Sequence, residues 1–380
     1  DGTQQDSATA SPGDVLQFKL TINPPVMGEY ETLTAFSVED VLTKGLQFKR
    51  ILSVTDVRGQ TYQEGTDYQL TIKKDLTAAD LPANTGYFIL NPGAVKFNGE
   101  YLLMADAATA ATPIVFWLAR SKDGIHFTPD PAPVQWPGFS DGIPEACIYD
   151  PRITEIDGEY LILYASQRPG FGVRTGMVRT RDFIRFDRVE QAETGRNNRN
   201  SVLFPEKIRG RYVRFDRPMG DDECEPSDMC ISYSDDLSTW SDSQILMVPR
   251  PGCWDSHKIG GGAVPIRTPE GWLAVYHGVD RTCNGYIYRL GVMLLDLENP
   301  ARIIARGGLP VLWPEPPYEM LGRGGNVTFA CNAIPEPDGT VKIYYGAADT
   351  CVGLATARLD DLVAACKTGN PTAERFFKSR

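Results

Sequence analysis

The sequence predicts an all-β protein, a five-bladed β-propeller with a small N-terminal β-rich appendage, and three observations carry that expectation. The first is a fivefold repeat: a turn at glycine, a hydrophobic strand, then polar residues past the strand's end. The copies read Gly99-Glu-Tyr-Leu-Leu-Met-Ala-Asp106, Gly158-Glu-Tyr-Leu-Ile-Leu-Tyr-Ala-Ser166, Gly210-Arg-Tyr-Val-Arg-Phe-Asp-Arg217, Gly271-Trp-Leu-Ala-Val-Tyr-His277 and Gly339-Thr-Val-Lys-Ile-Tyr-Tyr-Gly-Ala-Ala-Asp349. Their glycines lie 59, 52, 61 and 68 residues apart, the length of a four-stranded blade carrying one long loop. The second is a Ser/Thr-x-Asp turn that closes on an aromatic, in Ala119–Phe127, Val178–Phe186 and Ile231–Trp240. An Asp there accepts hydrogen bonds from its own backbone while the aromatic packs between blades, so these positions read as structural. The third is composition: 36 glycines and 28 prolines in 380 residues, 42% of them hydrophobic, suit many short strands around a large core.

Taken in order, the first ten residues are small and polar and read as a tail. Short strands are expected at Val15–Ile22, Leu33–Val38, Phe48–Val54 and Tyr68–Ile72, separated by turns at Pro24-Pro25, Lys44-Gly45 and Gly65-Thr66. Residues 1–75 therefore form the β-rich segment, and residues 76–380 the propeller, whose blades begin at Asn91. Only Leu359 to Cys366 has a helical pattern.

A net charge of −11 argues against a nucleic-acid partner, and any anion must be held by a local basic cluster. No apolar run approaches the ~20 residues that span a bilayer, so no membrane is expected. The eight cysteines form no CxxC pair and several sit in apolar strands, which favours free thiols and the cytoplasm, with the N-terminal segment leaving an extracellular place open. The three histidines, at 126, 257 and 277, have no partner at metal-ligand spacing, so no metal is expected.

If each repeat copy is the same strand of its blade, Asp106, Ser166, Asp216, Arg217, His277 and Asp349 emerge at one end of the channel. Asp150, in Ile148-Tyr-Asp-Pro-Arg-Ile153, lies in the loop entering the second blade. Arg199, Asn200, Arg217, Lys258 and His277 join it at the same mouth. A carboxyl group facing Arg, Lys and His in an acidic protein suggests an acid working against a bound anion. Inverting hydrolysis needs a second carboxylate to activate water, whereas phosphate is already an anionic nucleophile. The site's composition points to phosphorolysis.

From Asn91 to about Cys366 the chain resembles glycoside hydrolase family 130, the mannoside phosphorylases and related β-mannosidases. The matching stretches are Asn91-Pro-Gly-Ala-Val-Lys-Phe-Asn-Gly99, Tyr149-Asp-Pro-Arg-Ile-Thr154, Asn198-Arg-Asn-Ser-Val-Leu-Phe-Pro-Glu-Lys207, Asp216-Arg-Pro218, Trp254-Asp-Ser-His-Lys-Ile-Gly260, Tyr276-His-Gly-Val279 and Tyr344-Tyr-Gly-Ala-Ala-Asp349. The resemblance implies a five-bladed propeller with Asp150 as general acid, its proton passing through the 3-hydroxyl of the mannosyl unit. It implies phosphate ligands at Arg199, Asn200, Arg217, Lys258 and His277, and a carboxylate at Asp349 that grips the mannosyl residue. Tyr149, Asp255, Tyr286 and Tyr288 are implied sugar contacts.

The implied reaction is inverting phosphorolysis of a β-mannoside to α-mannose 1-phosphate, with inorganic phosphate as co-substrate and no cofactor. Thr282-Cys-Asn-Gly-Tyr-Ile-Tyr-Arg289 resembles members acting on β-1,2-linked mannobiose or oligomannan. The rivals are an inverting β-1,2-mannosidase that uses water and a carbohydrate-binding propeller whose catalysis has lapsed. Two departures stand out. Phosphorylases of the family usually carry an arginine where this chain has Leu102-Leu-Met-Ala-Asp106, and their N-terminal lead is replaced here, so closure by pairing strands from the two ends is open to change. A homo-oligomer is left open.

Overall fold

The computed structural model describes residues 77, 80–81, 86–109, 114–192, 197–220, 225–283 and 285–368, together with the backbone of two short paired strands, β1 (Val54–Thr55) and β2 (Thr61–Tyr62). The chain divides into two compact units, residues 1–72 and 73–380. The strands expected between Val15 and Ile72 lie outside the described residues, apart from Val54.

The second unit is a five-bladed propeller. Blade one is β3 (Gly86–Phe97), β4 (Glu100–Thr109), β5 (Val115–Ser121) and β6 (Thr128–Pro129). Blade two is β7 (Cys147–Ile156), β8 (Glu159–Arg168), β9 (Gly172–Thr180) and β10 (Asp187–Arg188). Blade three is β11 (Asn197–Leu203), β12 (Tyr212–Met219), β13 (Met229–Ser234) and β14 (Ser241–Met247). In blade four, β15 (Lys258–Gly261) and β16 (Ile266–Thr268) both pair with β17 (Gly271–Thr282), followed by β18 (Gly285–Leu295) and β19 (Ile303–Arg306). Blade five has three described strands, β20 (Thr328–Pro335), β21 (Thr340–Ala347) and β22 (Cys351–Arg358). A helical turn, α1 (Pro317–Met320), precedes it, and α2 (Leu359–Cys366) follows at the expected position.

Each blade must bury both faces, because each is sandwiched between neighbours; this is why the strands read as apolar runs. Leu102 and Met104 face blade two, with Ile153, Ile162 and Tyr164, while Leu103 and Ala105 face blade five, with Tyr344 and Val352. Separate clusters fill the other gaps: Leu161, Leu163 and Leu203 between blades two and three, Val202, Phe215 and Trp272 between three and four, Leu273, Val275 and Ile343 between four and five. α2 seals the last of these with Leu362, Val363 and Cys366.

The Asp turns behave as expected. Asp123, Asp182 and Asp236 each accept two backbone N–H bonds, at 2.8–2.9 Å, and Phe127 packs edge-on against Tyr344 of blade five. Asp296 does the same in blade four, at 2.8 and 2.9 Å, without the preceding Ser or Thr that made the others legible. Among the described residues, the ring closes without a strand shared between its ends. A side-chain seam joins blades one and five instead: Tyr101 Oη donates to Glu336 at 2.6 Å, Lys96 pairs with Glu336 at 2.6 Å, and Tyr344 Oη donates to the Gly124 carbonyl at 2.8 Å. Cys147, Cys230, Cys331 and Cys366 carry free thiols, the last three buried. No helix among the described residues is long and apolar enough to cross a membrane.

Around the axis the inner strands are tied by side chains bonding to backbone. Arg152, 1% exposed, donates to the carbonyls of Gly262 (3.0 Å), Gly261 (3.1 Å) and Asp150 (2.9 Å), and so bridges blades two and four. Asn332 of blade five accepts from Ile153 N–H at 3.0 Å and donates to its carbonyl at 2.9 Å. Replacing Arg152 with Leu strips three buried carbonyls of their donor, so unfolding stability should fall by at least about 3 kcal/mol, measured by urea denaturation. A loss within about 0.5 kcal/mol, typical of surface substitutions, would show that the bridge is dispensable.

Candidate active site

Three inner strands break their ladders at corresponding points. β3 slips between Leu90 and Gly93, β7 between Tyr149 and Arg152, and β11 between Arg199 and Val202, each with one residue more than its partner strand. The first inserted residue in each bulge is left-handed: Asn91 (φ 44°), Asp150 (φ 58°) and Asn200 (φ 55°). Asn and Asp tolerate this conformation better than other side chains, and a bulge re-aims the residue it carries. All three are buried. Asn91 Nδ2 donates to Asp150 Oδ1 at 2.7 Å, and Asn200 Nδ2 lies 3.3 Å from His277 Nε2.

The cations gather beside them. Arg217, at the end of β12, donates from a terminal guanidinium nitrogen to His277 Nε2 at 3.0 Å and from the other to Met219 Sδ at 3.6 Å. Its backbone N–H is fixed by Asn198 Oδ1 at 3.1 Å. No carboxylate forms an ion pair with it among the described residues, although it is 5% exposed. Burial, together with the like charge of Arg199, pulls its guanidinium below the ordinary value. Burial and the charges of Arg217, Arg152 and Lys258 hold the His277 imidazole well below its ordinary value, so the ring is neutral at pH 7. It accepts Arg217's hydrogen bond and adds no charge of its own. Tyr288 stacks on His277 at 6.2 Å, Arg199 lies over the Tyr149 ring at 5.9 Å, and Lys258 lies over the Tyr286 ring at 4.8 Å.

The acids form the opposite side. Asp106, fully buried at the end of blade one's repeat strand, accepts the Asp150 backbone N–H with both oxygens, at 3.1 and 3.0 Å. Burial first, then the Asp150 carboxylate, pushes it well above the usual range. Asp349, left-handed at φ 52° just past β21, is pushed up to about 6 by burial and by Asp150, with Arg323 opposing. An added Cβ at Gly324 would fall 2.3 Å from its Oδ2, so glycine there makes room for the carboxyl.

The structure thus brings together Asp150, Arg199, Asn200, Arg217, Lys258, His277 and Asp349 with Tyr149, Tyr286 and Tyr288. It does not bring Asp255. That carboxylate is fully enclosed, paired with Arg250 at 2.7 Å and Arg306 at 2.6 Å and bonded by Tyr276 Oη at 3.1 Å, so it braces the blade-four loop. Asp216, expected at the mouth beside Arg217, turns the other way along its strand and accepts from Ser201 at 2.7 Å and Asn198 at 2.8 Å. Met104, which stands in place of the arginine that the resemblance would have supplied, is fully buried between blades one and two. Asn91 and Arg152 are the residues that sequence reasoning quoted without a role. One signal was available for Asn91: it precedes Gly99 by eight residues, as Asp150 precedes Gly158, and both are followed by proline.

The family model described as beta-1,4-mannooligosaccharide phosphorylase, that of glycoside hydrolase family 130, matches residues 59–368. The chain belongs to glycoside hydrolase family 130. Among its relatives, a beta-1,4-mannooligosaccharide phosphorylase of Ruminococcus albus is 38% identical over 248 residues, 64% of this chain and 73% of the relative. A 1,2-beta-oligomannan phosphorylase of Thermoanaerobacter sp. is 37% identical over 288 residues, 72% of this chain and 91% of the relative. The solved structure of a beta-1,2-mannobiose phosphorylase from Listeria innocua, in complex with beta-1,2-mannobiose, superposes with a TM-score of 0.68 at 30% identity, covering 77% of this chain and 96% of that one.

In this family-130 chain the raised carboxyl of Asp349 has a consequence for stability. Its folded-state value of about 6 lies above the ordinary 3.8, so its contribution is full below about pH 3.8 and lost as pH rises through about 6. Asp349→Asn removes that loss. The variant's urea midpoint relative to wild type should therefore climb between pH 4 and pH 7; a difference that stays constant across that range would mean the carboxyl ionises freely.

Proposed function

We propose that this chain cleaves a β-mannoside with inorganic phosphate and inversion, releasing α-mannose 1-phosphate, and that β-1,2-linked mannobiose or short oligomannan is its substrate. The observation that carries this reading is Arg217, a buried guanidinium bonded to a neutral imidazole and a thioether where a carboxylate would ordinarily sit. A buried charge without a counter-ion is costly, and an anionic ligand removes that cost. Phosphate suits the planar donors of Arg217 and Arg199 and the point charge of Lys258, with Asn200 adding a neutral donor. His277 acts here as the acceptor that sets Arg217's plane.

Asp150 is the general acid in this reading. Its carboxyl stands at the junction of the acidic and basic sides, where it delivers a proton toward the leaving oxygen, directly or through a sugar hydroxyl, while phosphate attacks the opposite face of the anomeric carbon. Asp349 grips mannosyl hydroxyls, and Tyr149, Tyr286 and Tyr288 offer ring surface and hydroxyls to the sugars. The relatives' names support the substrate class, and phosphate is the co-substrate they share by name as phosphorylases. Water as the nucleophile is disfavoured, because it would leave Arg217's charge without a counter-ion.

With β-1,2-mannobiose, consumption should depend on added phosphate and yield mannose 1-phosphate in step with free mannose. Equal consumption in phosphate-free buffer, with mannose alone as product, would overturn the reading. Asp150→Asn should lower turnover by at least about 10²-fold, the lower bound for general acid catalysis. Arg217→Lys keeps the charge but loses the fork, so KM for phosphate should rise roughly tenfold while KM for the mannoside moves much less. Equal rises in both would assign Arg217 to holding the mouth together.

A further inference from the structure

Asn91 takes no part in the reading above, yet its side chain reaches the acid. Its Nδ2 donates to Asp150 Oδ1 at 2.7 Å, and the residue is 7% exposed. Its Oδ1 is buried with no hydrogen-bond partner. A buried amide that serves only the fold uses both polar atoms, as Asn332 does against Ile153. Asn91 uses one, and uses it on Asp150. The fold also makes room for it: a Cβ added at Gly346 of blade five would fall 2.0 Å from Asn91 Oδ1 and 2.8 Å from its backbone nitrogen.

We propose that Asn91 is a positioning residue for Asp150, holding Oδ1 as an acceptor so that Oδ2 is the oxygen that carries and delivers the proton. This rests on Asp150 being the general acid. A proton on Oδ1 would meet the amide N–H head-on, so the acid form keeps its proton on Oδ2. That O–H bond breaks as the glycosidic C–O bond breaks and the departing oxygen gains the hydrogen. The carboxylate left behind still accepts from Asn91, and it regains a proton from solvent once the attacking hydrogen phosphate has given one up.

Other groups face Asp150 from several elements. Asp106 lies on β4 and Asp349 past β21; Arg217 on β12 and Tyr288 on β18 also act on it. Arg152 bonds its carbonyl, and the Cys147 and Cys331 thiols are near. All of these are retained in the experiment below, so a change between variants reports Asn91.

The test compares wild type with Asn91→Gly, which keeps the left-handed bulge without strain, and Asn91→Asp, which keeps the shape but replaces the donor with an acid. The readout is kcat/KM for phosphorolysis of β-1,2-mannobiose against pH. A general acid works only in its protonated form, so activity falls on the alkaline side of the profile. With the donor gone, the alkaline limb of the activity profile should move up by about one pH unit in Asn91→Gly and further in Asn91→Asp, with at least tenfold lower kcat/KM at the optimum. The ionisation of phosphate itself is the same for all three proteins. A uniform loss of activity with the limb unmoved, in a variant whose urea midpoint matches wild type, would overturn the inference. Asp150→Asn is run alongside: if it retains activity the acid assignment falls, whereas an inactive Asp150→Asn with unmoved Asn91 limbs rejects the positioning role alone.

Discussion

One extra residue in each of three inner strands, held left-handed, is the constraint on which the channel depends. A regular ladder would point alternate side chains into the gaps between blades, where the clusters of Leu, Val and Phe lie. The bulges at Asn91, Asp150 and Asn200 break that alternation and turn polar side chains onto polar partners, Asn91 to Asp150 and Asn200 to His277. The strain of positive φ is tolerated because the surroundings over-determine it: Asp106 holds the Asp150 backbone N–H, and Arg152 holds its carbonyl. The acid is thus fixed through its main chain as well as its side chain.

The same arrangement divides the site by charge. Asp106, Asp150 and Asp349 lie on blades one, two and five; Arg199, Arg217 and Lys258 lie on blades three and four. Burial first, and then like charges within each half, raise the cost of ionising Asp106 and Asp349; burial and the neighbouring cations keep His277 neutral. A protein of net charge −11 can therefore present a concentrated positive pocket without a basic surface. Both the acids and the cations are supplied by the strands of a ring of packed blades and the turns next to them, so their separation is set by blade packing.

The repeat made much of this legible beforehand. The glycine turns and Ser/Thr-x-Asp corners are local signals, since backbone geometry and a side chain's reach to its own main chain act over a few residues; the blades followed from them, and α2 from its own helical period. Asp296 escaped notice because it makes the same corner without the hydroxyl that marked the others. Asp255 was misjudged for the opposite reason: a carboxylate in a motif says nothing about Arg250 and Arg306, of which the second lies 51 residues away and quenches it. Asp216 and Arg217 are adjacent in sequence, yet strand alternation sends one inward to serines and the other to the channel.

What the sequence by itself determined is the repeat, the all-β class and the residue types the mouth could draw on. These depend on period, turn chemistry and strand patterning, all of them local. What the tertiary structure decided is which groups meet: that His277 accepts from Arg217 uncharged, that Arg152 bridges blades two and four, and that Asn91 reaches Asp150 from the neighbouring blade. Those pairings join residues 59 to 110 positions apart. Burial and mutual charge, which set their protonation, exist only once the ring has closed around them.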